Sequence, residues 1–217
     1  MKKLAVIFDQ DGTLFDSGKG ILNTGEMVLA EYGIHVPREK MRVMVGPPLK
    51  GTLIDFGVPK DKADEAVRRF ISIYEKGPQF DFVPYPGIEK LLIELKQEGS
   101  LLYVATSKNQ PSAEAIQAHA GFSQYYAGIY GAAPDGTRDA KDLILAFLLK
   151  HVPAGYSPIL IGDTKFDVLG AKKVGIPVIG VSWGYGNVQE MKQEKPYAIV
   201  DSVDELKKTL AHFADEQ

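Results

Sequence analysis

Apolar residues run without a break from Leu4 to Phe8 and stop at Asp9. A short, unbroken apolar run of this kind predicts a strand buried on both faces. The spacing then changes. Ile21, Leu22, Val28, Leu29 and Tyr32 predict a helix over 18–32, with Gly33 as its stop. Two short helices are expected over 37–46 and 48–56, around Gly46-Pro47-Pro48. Ala63, Ala66, Val67, Phe70, Ile71 and Tyr74 predict an amphipathic helix over 61–76, so residues 16–80 read as all-helical. Pro84-Tyr85-Pro86-Gly87 reads as a linker, because two prolines and a glycine resist any regular element.

After the linker, helices and strands alternate. Helices are predicted over 88–98, 111–120, 141–150 and 166–174, and strands over 101–105, 128–130, 159–161, 177–181 and 198–200. Ser202-x-x-Glu205 is a capping box that opens a final helix. This alternation predicts an α/β fold whose Rossmann-like parallel sheet is covered on both faces. Residues 1–15 and 83–217 are expected to form that core, with residues 16–82 inserted as a helical domain. Such sheets bind ligands beyond the carboxyl ends of their strands. Polar residues fall at those ends. Asp9 and Asp11 follow the first strand, Thr106-Ser107-Lys108 follow the strand 101–105, and Gly162-Asp163 follow the strand 159–161, with Asp167 four residues on.

Two carboxylates as close as Asp9 and Asp11 repel each other, and sharing a cation relieves that cost. A site that holds Mg²⁺ and does chemistry has reason to accept the cost. The spacing does not suit an EF-hand calcium loop, since Leu14 stands where its glycine belongs. Asp163 can complete a Mg²⁺ site with Asp9; otherwise Asp163 and Asp167 are a charge pair at a helix N-terminus. Thr106 and Ser107 offer hydroxyls to an anion, or else cap the helix that follows. A lysine at the rim would neutralise phosphate, and Lys108 and Lys141 both lie near it.

The bulk numbers narrow the partners. The chain has 217 residues, 45% hydrophobic and 24% charged, which suits one or two soluble globular domains. A net charge of -3 does not favour nucleic acid. With no cysteine, disulfides and thiolate metal sites are excluded and a reducing cytoplasm is expected. The apolar run before Asp9 is too short for a signal-peptide core, and no run is long enough for a membrane span. His35, His119, His151 and His212 are scattered and form no ligand spacing.

Asp9-Gln10-Asp11-Gly12-Thr13-Leu14 resembles the first motif of phosphatases of the haloacid dehalogenase (HAD) superfamily, Asp-x-Asp-Gly-Thr-Leu, at every fixed position. Thr106, or Ser107, resembles the second motif, Lys141 the third, and Gly162-Asp163-Thr164-Lys165-Phe166-Asp167 the fourth. The helical block resembles the C1 cap of the phosphoglycolate phosphatase-like branch, as do Asp135-Gly136-Thr137-Arg138 and Trp183-Gly184-Tyr185-Gly186. The resemblance implies the HAD fold and Mg²⁺-dependent hydrolysis of a small, phosphoglycolate-like phosphate monoester. By this resemblance Asp9 is the nucleophile and forms an aspartyl-phosphate, and Asp11 is the acid/base. Mg²⁺ is held by Asp9, the Asp11 backbone carbonyl and Asp163. Thr106, Ser107 and Lys141 hold phosphate, Asp167 orients Lys141 or a metal-bound water, and Gly12 and Thr13 support the first motif. The expected partner is a small phosphorylated metabolite, with neither nucleic acid nor membrane, acting on a monomer or homodimer. A 5′-nucleotidase or pyrophosphatase of the same branch and a β-phosphoglucomutase-type mutase are the alternatives that share these motifs; a non-enzymatic regulator on this scaffold is a further one, and the presence of all the motif residues argues against it. Thr13 favours hydrolysis over that mutase type, which tends to valine there. Asp142 stands where many relatives have proline, and Thr164 where some have arginine.

Overall fold

The computed structural model describes residues 3–133 and 135–217. Strand β1 (Lys3–Phe8) leads to a two-residue strand β2 (Phe15–Asp16). Helices α1 (Gly18–Glu31), α2 (Arg38–Met41), α3 (Leu49–Asp55) and α4 (Ala63–Tyr74) follow, and the chain returns through β3 (Val83–Pro84). Beyond it come α5 (Ile88–Gln97), β4 (Leu101–Asn109), α6 (Gln110–His119), β5 (Gly128–Ala132), α7 (Lys141–Leu149), β6 (Tyr156–Gly162), α8 (Lys165–Val174), β7 (Val178–Val181), α9 (Val188–Gln193), β8 (Ala198–Val200) and α10 (Val203–Glu216). Among the described residues no helix is long and apolar enough to cross a membrane.

Six strands pair in the order β5-β4-β1-β6-β7-β8, all parallel, as the alternation predicts. β1 is central, and the pleat sends its side chains alternately to the two faces. Leu4, Val6 and Phe8 pack with Leu91, Leu92, Leu206 and Leu210 from α5 and α10. Ala5 and Ile7 pack with Ile144, Leu148, Val168 and Ala171 from α7 and α8. The buried members of a third cluster all lie within residues 21–74, including Ile21, Leu29, Met41, Leu53, Phe70 and Tyr74, and Tyr185 packs against it from the far part of the chain. The helices between β2 and β3 therefore enclose an apolar core of their own.

The structure differs from the sequence expectation in five places. β2 and β3 form an antiparallel ribbon, Phe15 opposite Pro84 and Asp16 opposite Val83, so the chain is paired where an all-helical block and then a linker were expected. Two residues are too few to show a period. β4 continues past Ala105 to Asn109 through a register shift, with Asn109 opposite Ala132. Its apolar run ends at Ala105, so the pattern fades while the backbone stays extended. β6 begins at Tyr156 and contains Pro158. The Leu160 N–H points toward β7, donating to the Pro177 carbonyl, and Pro158 faces the same way two residues earlier, before β7 has begun. Its missing N–H therefore costs no ladder bond. α9 was not foreseen; the Asn187 side chain caps it by accepting from the Gln189 and Glu190 N–H groups. At α10 the Ser202 hydroxyl accepts from the Glu205 N–H, but the Glu205 carboxylate takes the Asp201 N–H, one residue before the cap.

Gly20 puts two opposing terms in one position. Alanine in a helix interior is favoured over glycine by about 1 kcal/mol. A Cβ there, however, would lie 2.0 Å from the Pro78 carbonyl oxygen, where the chain leaves the helical unit. Overpacking of this kind costs about 1–3 kcal/mol. Gly20→Ala is expected to lower the thermal midpoint, and a midpoint equal to or above wild type would show that α1 shifts without penalty.

Candidate active site

The first strand ends at Asp9, whose backbone N–H still donates to Ile161 of β6 at 2.8 Å. Its carboxylate meets Lys141, the first residue of α7. The Lys141 ammonium donates to Asp9 Oδ1 at 2.7 Å and to the Ala105 carbonyl at 2.9 Å. It also pairs with Asp167 Oδ1 at 2.8 Å. The lysine stem lies on Gly170 of α8, where a Cβ would stand 2.7 Å from Lys141 Cγ. Burial pushes the Asp9 carboxyl up to about 7; Lys141 works against that rise and Asp167 adds to it. Burial also opposes the Lys141 charge, but Asp167 and Asp9 outweigh it and raise its pKa.

Asp163, just past β6, is held by neutral donors. The Tyr185 N–H donates to its Oδ2 at 2.8 Å and the Gly186 N–H at 3.3 Å, and the Thr13 hydroxyl donates to Oδ1 at 3.3 Å. Two glycines let the backbone come this close. A Cβ on Gly12 would lie 2.2 Å from Asp163 Oδ2, and one on Gly184 would lie 2.3 Å from it. Burial, then Asp167 and Asp9, raise the Asp163 pKa well above the ordinary carboxylate range. Asp167 uses its second oxygen to cap α8, accepting from the Thr164 N–H at 3.1 Å and the Thr164 hydroxyl at 2.8 Å. Asp167 thus pairs with Lys141 and caps α8 with one carboxylate. One carboxylate oxygen each of Asp9, Asp163 and Asp167 lies within 4.8 Å of the others.

Asp11 faces elsewhere. The Ser17 hydroxyl donates to its Oδ1, and Lys108 Nζ pairs with its Oδ2 at 3.1 Å. Lys108 also donates to the Tyr74 hydroxyl at 2.8 Å. Burial opposes the Lys108 charge, and Asp11 and Tyr74 overcome it and raise its pKa. Asp9, Asp11, Thr106 and Ser107 line a cavity of about 610 Å³ between the strand ends and the inner face of the helical unit. Every residue singled out from the sequence therefore falls in one place: Asp9, Asp11, Thr106 and Ser107 at the cavity, Lys141, Asp163 and Asp167 packed with them, Gly12 and Thr13 against Asp163. Sequence reasoning left Lys108 undecided, missed Ser17 and the Tyr74 hydroxyl, and named Thr164 and the stretch 183–186 only by resemblance, with no role for them. The strand-end rule applied to β7 would have pointed to Trp183-Gly184-Tyr185-Gly186.

Residues 6–181 match the family model of haloacid dehalogenase-like hydrolases. The chain belongs to this family. Among curated relatives of this HAD-like hydrolase, a 5′-nucleotidase of Pseudomonas aeruginosa is 34% identical over 88% of this chain and 88% of its own. The tyrosine-protein kinase PtkA of Mycobacterium tuberculosis is 35% identical over 94% of this chain and 72% of its own. A phosphoglycolate phosphatase of Caulobacter vibrioides is 30% identical over 83% of this chain and 79% of its own. The crystal structure of a predicted phosphatase from Clostridium acetobutylicum superposes with a TM-score of 0.92 at 33% identity, covering 98% of this chain and 100% of that one. The family, fold and hydrolase class expected from the motifs are the ones found, with phosphatase relatives along most of the length.

The raised Asp163 pKa carries a stability consequence. In the unfolded chain this carboxyl ionises near the ordinary aspartate value of 3.8. In the fold it ionises only at higher pH, so the group costs stability progressively as pH rises above that value. In metal-free buffer Asp163→Asn is expected to raise the thermal midpoint relative to wild type at pH 8 and to lose that advantage toward pH 4. Equal differences at both pH values would contradict this assignment of the charge.

Proposed function

We propose that this HAD-like hydrolase is a Mg²⁺-dependent phosphatase that cleaves a small phosphate monoester through an aspartyl-phosphate on Asp9. One observation carries the reading: two carboxylates at one strand end are held by different cations. Asp9 is paired with Lys141 and Asp11 with Lys108, and both border the same cavity. On this reading the first serves as the nucleophile and the second as the acid/base.

The residues fit a divalent cation. Of three buried carboxylates, Asp9 and Asp167 pair with Lys141, and among the described residues Asp163 has hydrogen bonds only from neutral donors. Hard oxygen donors of this kind suit Mg²⁺. The Asp9 and Asp163 carboxylates, with the Asp11 backbone carbonyl, would hold it. Bound there, Mg²⁺ supplies the positive charge that offsets repulsion between Asp9 and the phosphate. In the first step an Asp9 oxygen bonds to phosphorus as the bond to the leaving oxygen breaks, and Asp11 gives that oxygen a proton. In the second, Asp11 takes a proton from water as the water oxygen attacks phosphorus and Asp9 is released. Thr106, Ser107 and Lys141 hold the phosphoryl oxygens, and Asp167 keeps Lys141 in place.

The cavity wall speaks to the leaving group. On the helical side it is largely apolar, with Met44, Leu49, Val67, Phe70 and Ile71. Its two lysines are already paired, Lys50 with Asp64 at 2.7 Å and Lys108 with Asp11 at 3.1 Å. The short carboxylate of glycolate would find no unpaired cation among the described lining residues. A neutral leaving group with an apolar face, such as a nucleoside, suits this wall better, which moves the preference from the phosphoglycolate-like ester to the 5′-nucleotidase alternative.

Phosphate release tests each part. Activity is expected to vanish in excess EDTA and return with Mg²⁺. Asp9→Asn should lose about a thousandfold or more in turnover while remaining folded, with a single cooperative thermal transition; near wild-type turnover would end the nucleophile assignment. For kcat/KM, uridine 5′-monophosphate is expected to exceed phosphoglycolate by about tenfold or more. The reverse order would restore the carboxylate leaving group.

A further inference from the structure

Asp163 is aimed by two turns from distant parts of the chain. One follows β1 and carries Thr13, which donates to Asp163 Oδ1; the other, residues 183–186, lies between β7 and α9 and sends the Tyr185 and Gly186 N–H groups to Oδ2. The second turn sits directly on residue 163: a Cβ on Gly186 would lie 2.0 Å from the Asp163 carbonyl oxygen. Neutral dipoles orient a carboxylate only as well as the segments that carry them are placed. Two aromatic side chains tie these segments to each other. The Trp183 indole N–H donates to the Thr13 carbonyl at 3.2 Å, so residue 13 takes a hydrogen bond from the second turn and gives one to Asp163. Tyr185, whose N–H holds Oδ2, sends its phenol back across. The phenol donates to Asp16 Oδ1 and accepts from the Gly18 N–H at 2.9 Å. Both aromatics are half-buried, and each spends its polar atom on this crossing.

We propose that Trp183 and Tyr185 are positioning residues of the cation site: by locking the two turns together they fix the aim of Asp163 and so select Mg²⁺ over the larger Ca²⁺. This rests on the reading that Asp163 holds a divalent cation. A lysine beside Asp163, like Lys141 beside Asp9, would cancel the charge that a cation needs, whereas N–H and O–H dipoles orient the group and leave its charge in place. A carboxylate offers about four lone-pair positions. Two donors on Oδ2 and one on Oδ1 leave one position, on Oδ1, for an ion. Asp163 can then ligate through a single oxygen. Ca²⁺ can take both oxygens of a carboxylate and tolerates varied geometry, while Mg²⁺ is smaller and demands near-ideal octahedral placement. A carboxylate held in one direction with one oxygen to give suits the second ion and restrains the first. Once the turns are untied, Oδ2 loses its donors, and the Asp163 carboxylate can swing and offer both oxygens.

Ion preference separates this from simple packing. The Mg²⁺ and Ca²⁺ dissociation constants of wild type, Tyr185→Phe, Trp183→Phe and Asp163→Asn are to be measured by titration calorimetry on metal-free protein, with thermal midpoints to follow the fold. Removing a partner that orients a metal ligand directly costs about 10–100-fold in affinity. Trp183 and the Tyr185 phenol act one step further out, so each aromatic variant is expected to weaken Mg²⁺ about five- to tenfold and Ca²⁺ by less than about twofold. An unchanged Mg²⁺ constant, or equal losses for the two ions, would overturn the proposal and leave both side chains as packing. Tyr185→Phe keeps the ring and loses one hydroxyl, so it decides the matter alone if Trp183→Phe fails to fold. Asp163→Asn is the control on the underlying reading: if wild type binds Mg²⁺ no more tightly than this variant, the cation site itself falls.

Discussion

The site depends on one buried ammonium having three acceptors. A lysine offers three N–H donors and no acceptor, and removing it from water costs several kcal/mol unless all are satisfied. Lys141 spends them on Asp9 at the end of β1, on the Ala105 carbonyl of β4 and on Asp167 in the first turn of α8. Adjacent strands and a helix from the far half of the chain are thereby held to one point. The consequences run outward. Asp167 has its other oxygen free to cap α8, which fixes Thr164 and the turn carrying Asp163. Gly170 is needed because the lysine stem occupies the space its side chain would fill. α7 and α8 pack side by side with Lys141 between them.

A second cation does for Asp11 what Lys141 does for Asp9, and the difference between the two is instructive. Lys141 takes all its partners from the core. Lys108 takes one from the core and one from the inserted helices. Neighbouring carboxylates that must do different chemistry are kept distinct in this way: one in a fixed setting, the other in a setting that includes the helices over the cavity.

Much of this was legible in the chain because the informative features are local. An apolar run ending in Asp9-Gln10-Asp11-Gly12 marks a strand and its site together, and the strand-end rule gathers Thr106 and Asp163 from distant sequence without a structure. What stayed hidden is set by tertiary contact. Nothing around Tyr74 distinguishes it from another apolar position of an amphipathic helix, and its hydroxyl matters only because β4 runs beneath it. Lys108 stood near the rim in the sequence, but its two partners, Asp11 and Tyr74, came only with the fold. The β2–β3 ribbon is too short to leave a period, and β4 outlasts its apolar pattern because a sheet neighbour, not composition, keeps residues 106–109 extended. The glycines at 12, 184 and 186 were visible, but only Asp163, its carboxylate beside the first two and its backbone carbonyl beside the third, explains their need for bare backbone.

The ribbon has one further consequence. Phe15 lies opposite Pro84 and Asp16 opposite Val83, so the outgoing and returning chains cross side by side, one strand spacing apart. Everything between residues 17 and 82 hangs from that single paired crossing and carries its own apolar core. The parallel sheet therefore asks little of what is spliced in there, only that its two ends meet. Such a joint is modular. The lid can be lengthened, exchanged or reshaped without disturbing the strand order beneath it, and a new lid inherits Asp9, Lys141 and Asp163 already assembled while it must supply its own partner for Lys108.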